Sequence, residues 1–172
     1  MHNSSTLENL TGLETARRGR ITRRVGFALL LGILLVSFLG VFGPSRKTIT
    51  TTDGLDELSL YYGSVVRSGQ AVPMEITVTR AGGFDGPVTL AFDRAVFERF
   101  DFQNWYPNPS SEVGEGAEVV YEFDPPEGDT LQVTLDARVA PTQFGGRHKY
   151  SLHIDSDGVP TALTDYVVWV VP

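Results

Sequence analysis

Met74-Glu75-Ile76-Thr77-Val78-Thr79 alternates an apolar residue with a polar one at every step. Successive side chains of a β-strand point to opposite faces, so this stretch buries Met74, Ile76 and Val78 and exposes the other three. The same period recurs from about Leu58 onward. Val88, Leu90 and Phe92 alternate with Thr89 and Ala91, and Val119, Tyr121 and Phe123 with Val120 and Glu122. Leu131, Val133 and Leu135 alternate with Gln132 and Thr134, and Tyr150, Leu152 and Ile154 with Ser151 and His153. Each run reads as a strand with one face buried. The last run, Tyr166 to Val171, is apolar on both faces except at its start, as expected of a central strand or of one covered by a partner.

Turn-forming residues separate the runs: Gly82-Gly83-Phe84-Asp85-Gly86-Pro87, Pro125-Pro126-Glu127-Gly128-Asp129, Gln143-Phe144-Gly145-Gly146 and Asp157-Gly158. Asp-Gly suits a tight hairpin. About seven strands at this spacing, with no helical stretch among them, indicate an all-β, antiparallel β-sandwich.

Upstream lies a different kind of segment. Residues Val25 to Phe42 (VGFALLLGILLVSFLGVF) carry no charge in eighteen positions, and thirteen are Leu, Ile, Val or Phe. Eighteen helical residues reach ~27 Å, close to the ~30 Å hydrocarbon core of a bilayer. A transmembrane helix is expected over residues 25–43. Arg17, Arg18, Arg20, Arg23 and Arg24 precede it, whereas only Arg46 and Lys47 follow closely. This bias places the N-terminus in the cytoplasm and the C-terminal part outside. A cleaved signal would need small residues at its cut site, and Phe38-Leu39-Gly40-Val41-Phe42 supplies bulky ones. Ala28 and Gly32 form a small-xxx-small pair through which two such helices would approach closely as a homodimer.

Residues 1–24 read as a basic cytoplasmic tail. Ser5 and Glu8 have capping-box spacing, but Gly12 and Gly19 interrupt any helix, so disorder is expected. Residues 44–57, Thr-rich and without an apolar period, read as an extracytoplasmic stalk, and residues 58–172 as the folded domain. The tail carries five arginines against two glutamates; residues 53–172 carry seven cations against nineteen carboxylates. An acidic domain argues against nucleic acid, whose phosphates need a cationic face. The absence of cysteine excludes disulfides, thiolate metal sites and cysteine catalysis.

Ser68-Gly69-Gln70-Ala71-Val72 leading into MEITVTR, then a Gly-rich turn and PVTLAFD, resembles the opening strands of immunoglobulin-like domains in bacterial surface proteins. PPEGDTLQVTL and GGRHKYSLHI match the same pattern, and the resemblance covers roughly residues 60–172. It implies an immunoglobulin-like sandwich on a small single-pass protein of the bacterial plasma membrane, with no enzyme activity and no functional residues to carry over. The paired cysteines and intervening tryptophan of antibody-type domains are missing.

Chemistry-bearing residues are few. His148 and His153 are five apart on one strand, which aims them at opposite faces; solvent-facing histidines are the simpler reading. Asp155 and Asp157 are weak calcium candidates, since Asp-Gly is already explained as a turn. No nucleophile motif is present, and no cofactor is implied. Phe97 to Pro109 holds five of the eighteen aromatic residues. Phe97, Phe100 and Phe102 suit the closing of one end of the sandwich, while Trp105 and Tyr106 at a loop tip suit contact with a partner. The expected function is a membrane-anchored, non-enzymatic interaction module, with Phe102, Trp105 and Tyr106 contacting another membrane or envelope protein. The alternatives are a cell-wall or carbohydrate-binding module using the same aromatics, and a carboxylate-based hydrolase.

Overall fold

The computed structural model describes residues 7–38, 45–141, 145–156 and 159–171. Its first element is a helix, α1 (Leu7–Phe38). Ten strands follow: β1 (Ser45–Asp53), β2 (Asp56–Arg67), β3 (Ala71–Arg80), β4 (Val88–Asp93), β5 (Phe100–Tyr106), β6 (Ser111–Glu115), β7 (Glu118–Phe123), β8 (Thr130–Val139), β9 (Gly146–Ser156) and β10 (Val159–Val171). A single 3₁₀ turn, Arg94–Val96, follows β4; the Asp93 carboxylate caps it by accepting from the Ala95 amide. The chain divides into two compact units, Met1–Gly43 and Pro44–Pro172.

Hydrogen bonds connect the strands in the order β5-β8-β3-β2-β10-β9-β4-β7-β6, with β1 paired to β2 outside this path. The sheet curls until its two ends face each other. Trp105 of β5 stacks on Tyr121 of β7 at 4.3 Å between centroids, and Phe100 of β5 meets Tyr150 of β9 at 6.2 Å. Neither pair of strands is hydrogen-bonded, so these contacts cross the interior. The alternating residues of β3, β4, β7, β8 and β9 fill a single core, as their period requires.

Several expectations need correction. The strands number ten among the described residues, because β1, β5 and β6 lack a clean apolar alternation. Residues 45–53, expected as stalk, form β1 and pair along β2 from Ser45↔Val65 to Asp53↔Asp56. Gly54, at φ 61°, leads the two-residue turn between them. The pairing is not wholly antiparallel, since β10 runs parallel to β2 through Trp169↔Val65 and Val171↔Arg67. Residues 7–24 are helical in one piece with the apolar span, and neither Gly12 nor Gly19 interrupts α1. His153 is 6 % exposed rather than solvent-facing, with Nδ1 3.9 Å from Glu118 Oε1. It does lie on the opposite face from His148.

β2 passes from one half of the curl to the other. It pairs with β3 through Tyr61↔Glu75 and joins β10 at Val65. Gly63 stands at the crossing. A Cβ there would lie 2.5 Å from Val72 Cγ1 and 2.6 Å from Val66 Cγ1. Both neighbours are β-branched and stiff at χ1, so neither swings aside cheaply.

At this end of the core the inner face of β2, β10 and β9 is lined by polar aromatics. Tyr62 meets Tyr166 edge-on at 5.1 Å, Tyr150 lies 5.6 Å from Tyr166, and His148 stacks on Tyr150 at 6.4 Å. Burial pushes the Tyr150 hydroxyl up to about 12 and the Tyr166 hydroxyl higher still. Burial, assisted by the Arg99 guanidinium, pulls His148 below its usual value.

Two outcomes are expected. Gly63→Ala should destabilise the domain by about 2 kcal/mol through overpacking, read as a lower urea midpoint at unchanged m-value. The folded-state pKa of His148 lies below the unfolded 6.5, so the unfolded chain takes up the proton first. Its stabilising contribution is complete above about pH 6.5 and is lost as pH falls through that value toward the folded pKa. The fall in urea midpoint on moving from about pH 7.5 to about pH 5.5 should therefore be smaller in His148→Gln than in the wild type.

Candidate functional site

The expected contact residues sit on β5, an end strand of the sheet that pairs only with β8. Phe100 and Phe102 face inward in register. A bulge between Phe102 and Asn104 inserts one residue and reverses the phase, so Trp105 also turns inward. Its indole meets Tyr121 at 4.3 Å, Phe92 edge-on at 5.7 Å and Phe123 at 5.9 Å. Phe102 lies 4.9 Å from Phe97 and 6.2 Å from Trp105. These rings close the seam between the two ends of the curled sheet. Trp105 is therefore half-buried in the wall of the domain rather than placed at a loop tip. Tyr106 comes next in the chain, points outward and is 80 % exposed. Beneath the cluster, burial raises the Tyr121 hydroxyl, with Glu112 accepting its hydrogen bond and adding to the shift.

A second feature was not picked out as a site from the sequence. Between the start of β1 and β10 opens a groove of about 700 Å³. Tyr62 and Ser64, 2 % and 5 % exposed, lie deepest in it. Ile49, Val65, Val167 and Trp169 supply apolar walls, and Lys47 and Arg147 supply charge. Trp169 is 56 % exposed, although it stands on a strand flanked by β2 and β9. The Ser64 hydroxyl has no hydrogen-bond partner among the described residues. Asp165, the only carboxylate lining the groove among the described residues, is held at 2.8 Å by Lys149. Neither Lys47 nor Arg147 forms an ion pair among the described residues. The clue in the sequence was the run from Tyr166 to Val171: Tyr166, Val168 and Val170 point into the core, leaving Val167 and Trp169 on an uncovered face.

The remaining candidates are dispersed. Asp155 is half-buried on β9, and Asp157 lies outside the described residues. No group of three His, Asp or Glu side chains able to hold a metal occurs among the described residues. Glycoside hydrolysis uses two carboxyl groups flanking the scissile bond, and the groove offers one, already ion-paired.

In the other unit, Gly19–Phe38 is long and apolar enough to cross a membrane, with mean hydropathy 1.8 and none of its window buried. Arg20, Arg23 and Arg24 are exposed at its start, and Arg17 and Arg18 lie in the preceding turns of α1. Ala28 and Gly32 lie four residues apart on α1, and a Cβ at Gly32 would meet nothing within 4 Å.

No family model matches this chain, and no curated protein does. Among solved structures it is similar to a non-cellulosomal cohesin from Archaeoglobus fulgidus, at 15 % identity and TM-score 0.37, covering 64 % of this chain and 88 % of that one. It is also similar to a chain of a type I cohesin–dockerin complex from Clostridium thermocellum, at 13 % identity and TM-score 0.38, covering 62 % and 89 %.

Adjacent aromatics should behave oppositely. Trp105→Ala should cost roughly 3 kcal/mol by opening a cavity at the seam, whereas Tyr106→Ala should stay within about 0.5 kcal/mol of wild type in urea unfolding.

Proposed function

We propose that this chain is a single-pass, non-enzymatic binding module of a bacterial plasma membrane. The helix anchors it with the N-terminus in the cytoplasm, and the β-domain engages another membrane or envelope protein outside. The observation that carries the reading is the division of the chain: an apolar helix with no core of its own precedes a β-unit with a separate, complete core. A helix exposed on all sides needs lipid around it, and the five arginines before it set its direction.

The partner contact is assigned to the β5 edge. Tyr106 presents a large ring with a polar tip, and the unpaired side of β5 offers backbone groups to an added strand. Trp105 serves this contact from behind by fixing β5 against β7, and Phe102 packs beside it. Close approach of two spans at Ala28 and Gly32 provides a route to a dimer.

The test is chemical crosslinking of the full-length chain in its native membrane, followed by pull-down. A specific protein should be recovered with wild type and with the exposed-loop variant Glu127→Gln, and reduced at least about tenfold by Tyr106→Ala. Retention of the partner by Tyr106→Ala would move the contact elsewhere. Binding to isolated wall polysaccharide with no protein recovered would favour the glycan-binding alternative. Direction is read separately: a single cysteine at position 111 should react with a membrane-impermeant maleimide in intact cells, and one at position 4 should not.

A further inference from the structure

The geometry points to the groove beside Trp169 as a docking site for the phosphate-bearing headgroups of anionic phospholipid. The β-unit would then have a surface of its own for the membrane, distinct from the β5 edge. This inference rests on the anchoring of the chain by its helix and not on the contact at Tyr106.

Three independent features converge. The first is charge. Residues 53–172 carry nineteen carboxylates against seven cations, yet among the described residues the groove presents Lys47 and Arg147 without ion-pair partners, and Asp165 beside them is paired with Lys149 at 2.8 Å. A cationic spot that survives in so acidic a domain fits an anion. The second is the mixture of surfaces. Trp169, 56 % exposed, and the half-buried Val167 line the groove together with the two cations, and tryptophan with Lys or Arg is the composition that settles at a membrane–water interface. The third is connectivity. Ser45 lines the groove and follows the apolar run Val25–Phe42 by three residues in the sequence.

The test uses the full-length chain reconstituted in vesicles of phosphatidylcholine alone, or of phosphatidylcholine mixed with phosphatidylglycerol, with or without brominated acyl chains as a short-range quencher of tryptophan. Trp169→Phe gives the constant background from Trp105. In the anionic vesicles the Trp169 emission should be blue-shifted and quenched, and in phosphatidylcholine alone it should not. Lys47→Gln and Arg147→Gln should each lower the docked-to-free ratio about fivefold, and the double variant about thirtyfold. Raising salt from 0.1 to 1 M, which shortens the Debye length from ~10 to ~3 Å, should release the indole. Unchanged far-UV circular dichroism confirms that the variants are folded.

Equal quenching in the two lipids, or none in either, overturns the proposal. A blue shift produced in phosphatidylcholine vesicles by inorganic phosphate alone would assign the groove to a free anion instead. Capture of a protein, rather than lipid, by a photoreactive residue at position 169 in native membranes would assign it to a partner chain. Resistance of the chain to carbonate extraction keeps these outcomes separate from failure of the anchor itself.

Discussion

The fold depends on the passage of β2 from β3 to β10. One strand is shared by both halves of the curled sheet, and it must turn where it leaves one neighbour for the other. Only a residue without a side chain fits between Val66 and Val72 at that point, and Gly63 is that residue. The start of β2 is held as firmly as its crossing. Asp56, 6 % exposed, receives two hydrogen bonds from Arg80, from Nε at 2.6 Å and Nη2 at 2.8 Å. Such a fork fixes direction as well as distance, so the β2–β3 register is set by charge at one end and by steric fit at the other. The Arg80 guanidinium also sits 5.2 Å from the Phe84 ring, which ties the Gly-rich turn to the same anchor.

Strands whose two faces differ were legible in the sequence. β3, β7 and β8 alternate because one face meets the core and the other is more open to water; β4 and β9 keep the same period, although Ala91 and His153, paired on the outer face, are also buried. The missed strands fail that condition for separate reasons. β1 is Thr-rich and almost entirely exposed; it is held by its backbone pairing to β2, with the Thr51 and Thr164 hydroxyls 2.8 Å apart where it nears β10. β6 is exposed at every residue. β5 contains a bulge, so its inward residues are Phe100, Phe102 and Trp105, a spacing that no single period describes. The same bulge explains why Trp105 and Tyr106 read as a pair of surface aromatics and are divided between wall and solvent.

The sites follow the same logic. Trp169 was hidden inside an apolar run that a central strand explains equally well, and only the tertiary arrangement separates the covered face of β10 from the open one. Lys47 lay in a segment without apolar pattern, and Arg147 beside a glycine-rich turn; neither position advertises that β1 and β9 bring the two to one groove. Local pattern reports burial, whereas a binding surface is made by residues far apart in the chain. The polar aromatics Tyr62, Tyr150 and Tyr166 show a related limit: as sequence they are ordinary inward positions, and their mutual contacts arise only where β2, β10 and β9 lie side by side.

The hydrogen-bonded path through the curled sheet ends in two strands, β5 and β6, with β1 a further edge beside β2, and the two ends of the path are dressed differently. β6 carries Glu112 and Glu115 in five wholly exposed residues, a length and charge that discourage another strand from docking alongside. On the anchor proposed above, copies would meet in two dimensions, where an unguarded sheet rim would seed chains of domains stacked edge to edge. The short acidic rim at β6 interrupts such stacking at one end of every copy. Growth between the two ends of the path needs both β5 and β6, so a guarded β6 blocks that route to filaments.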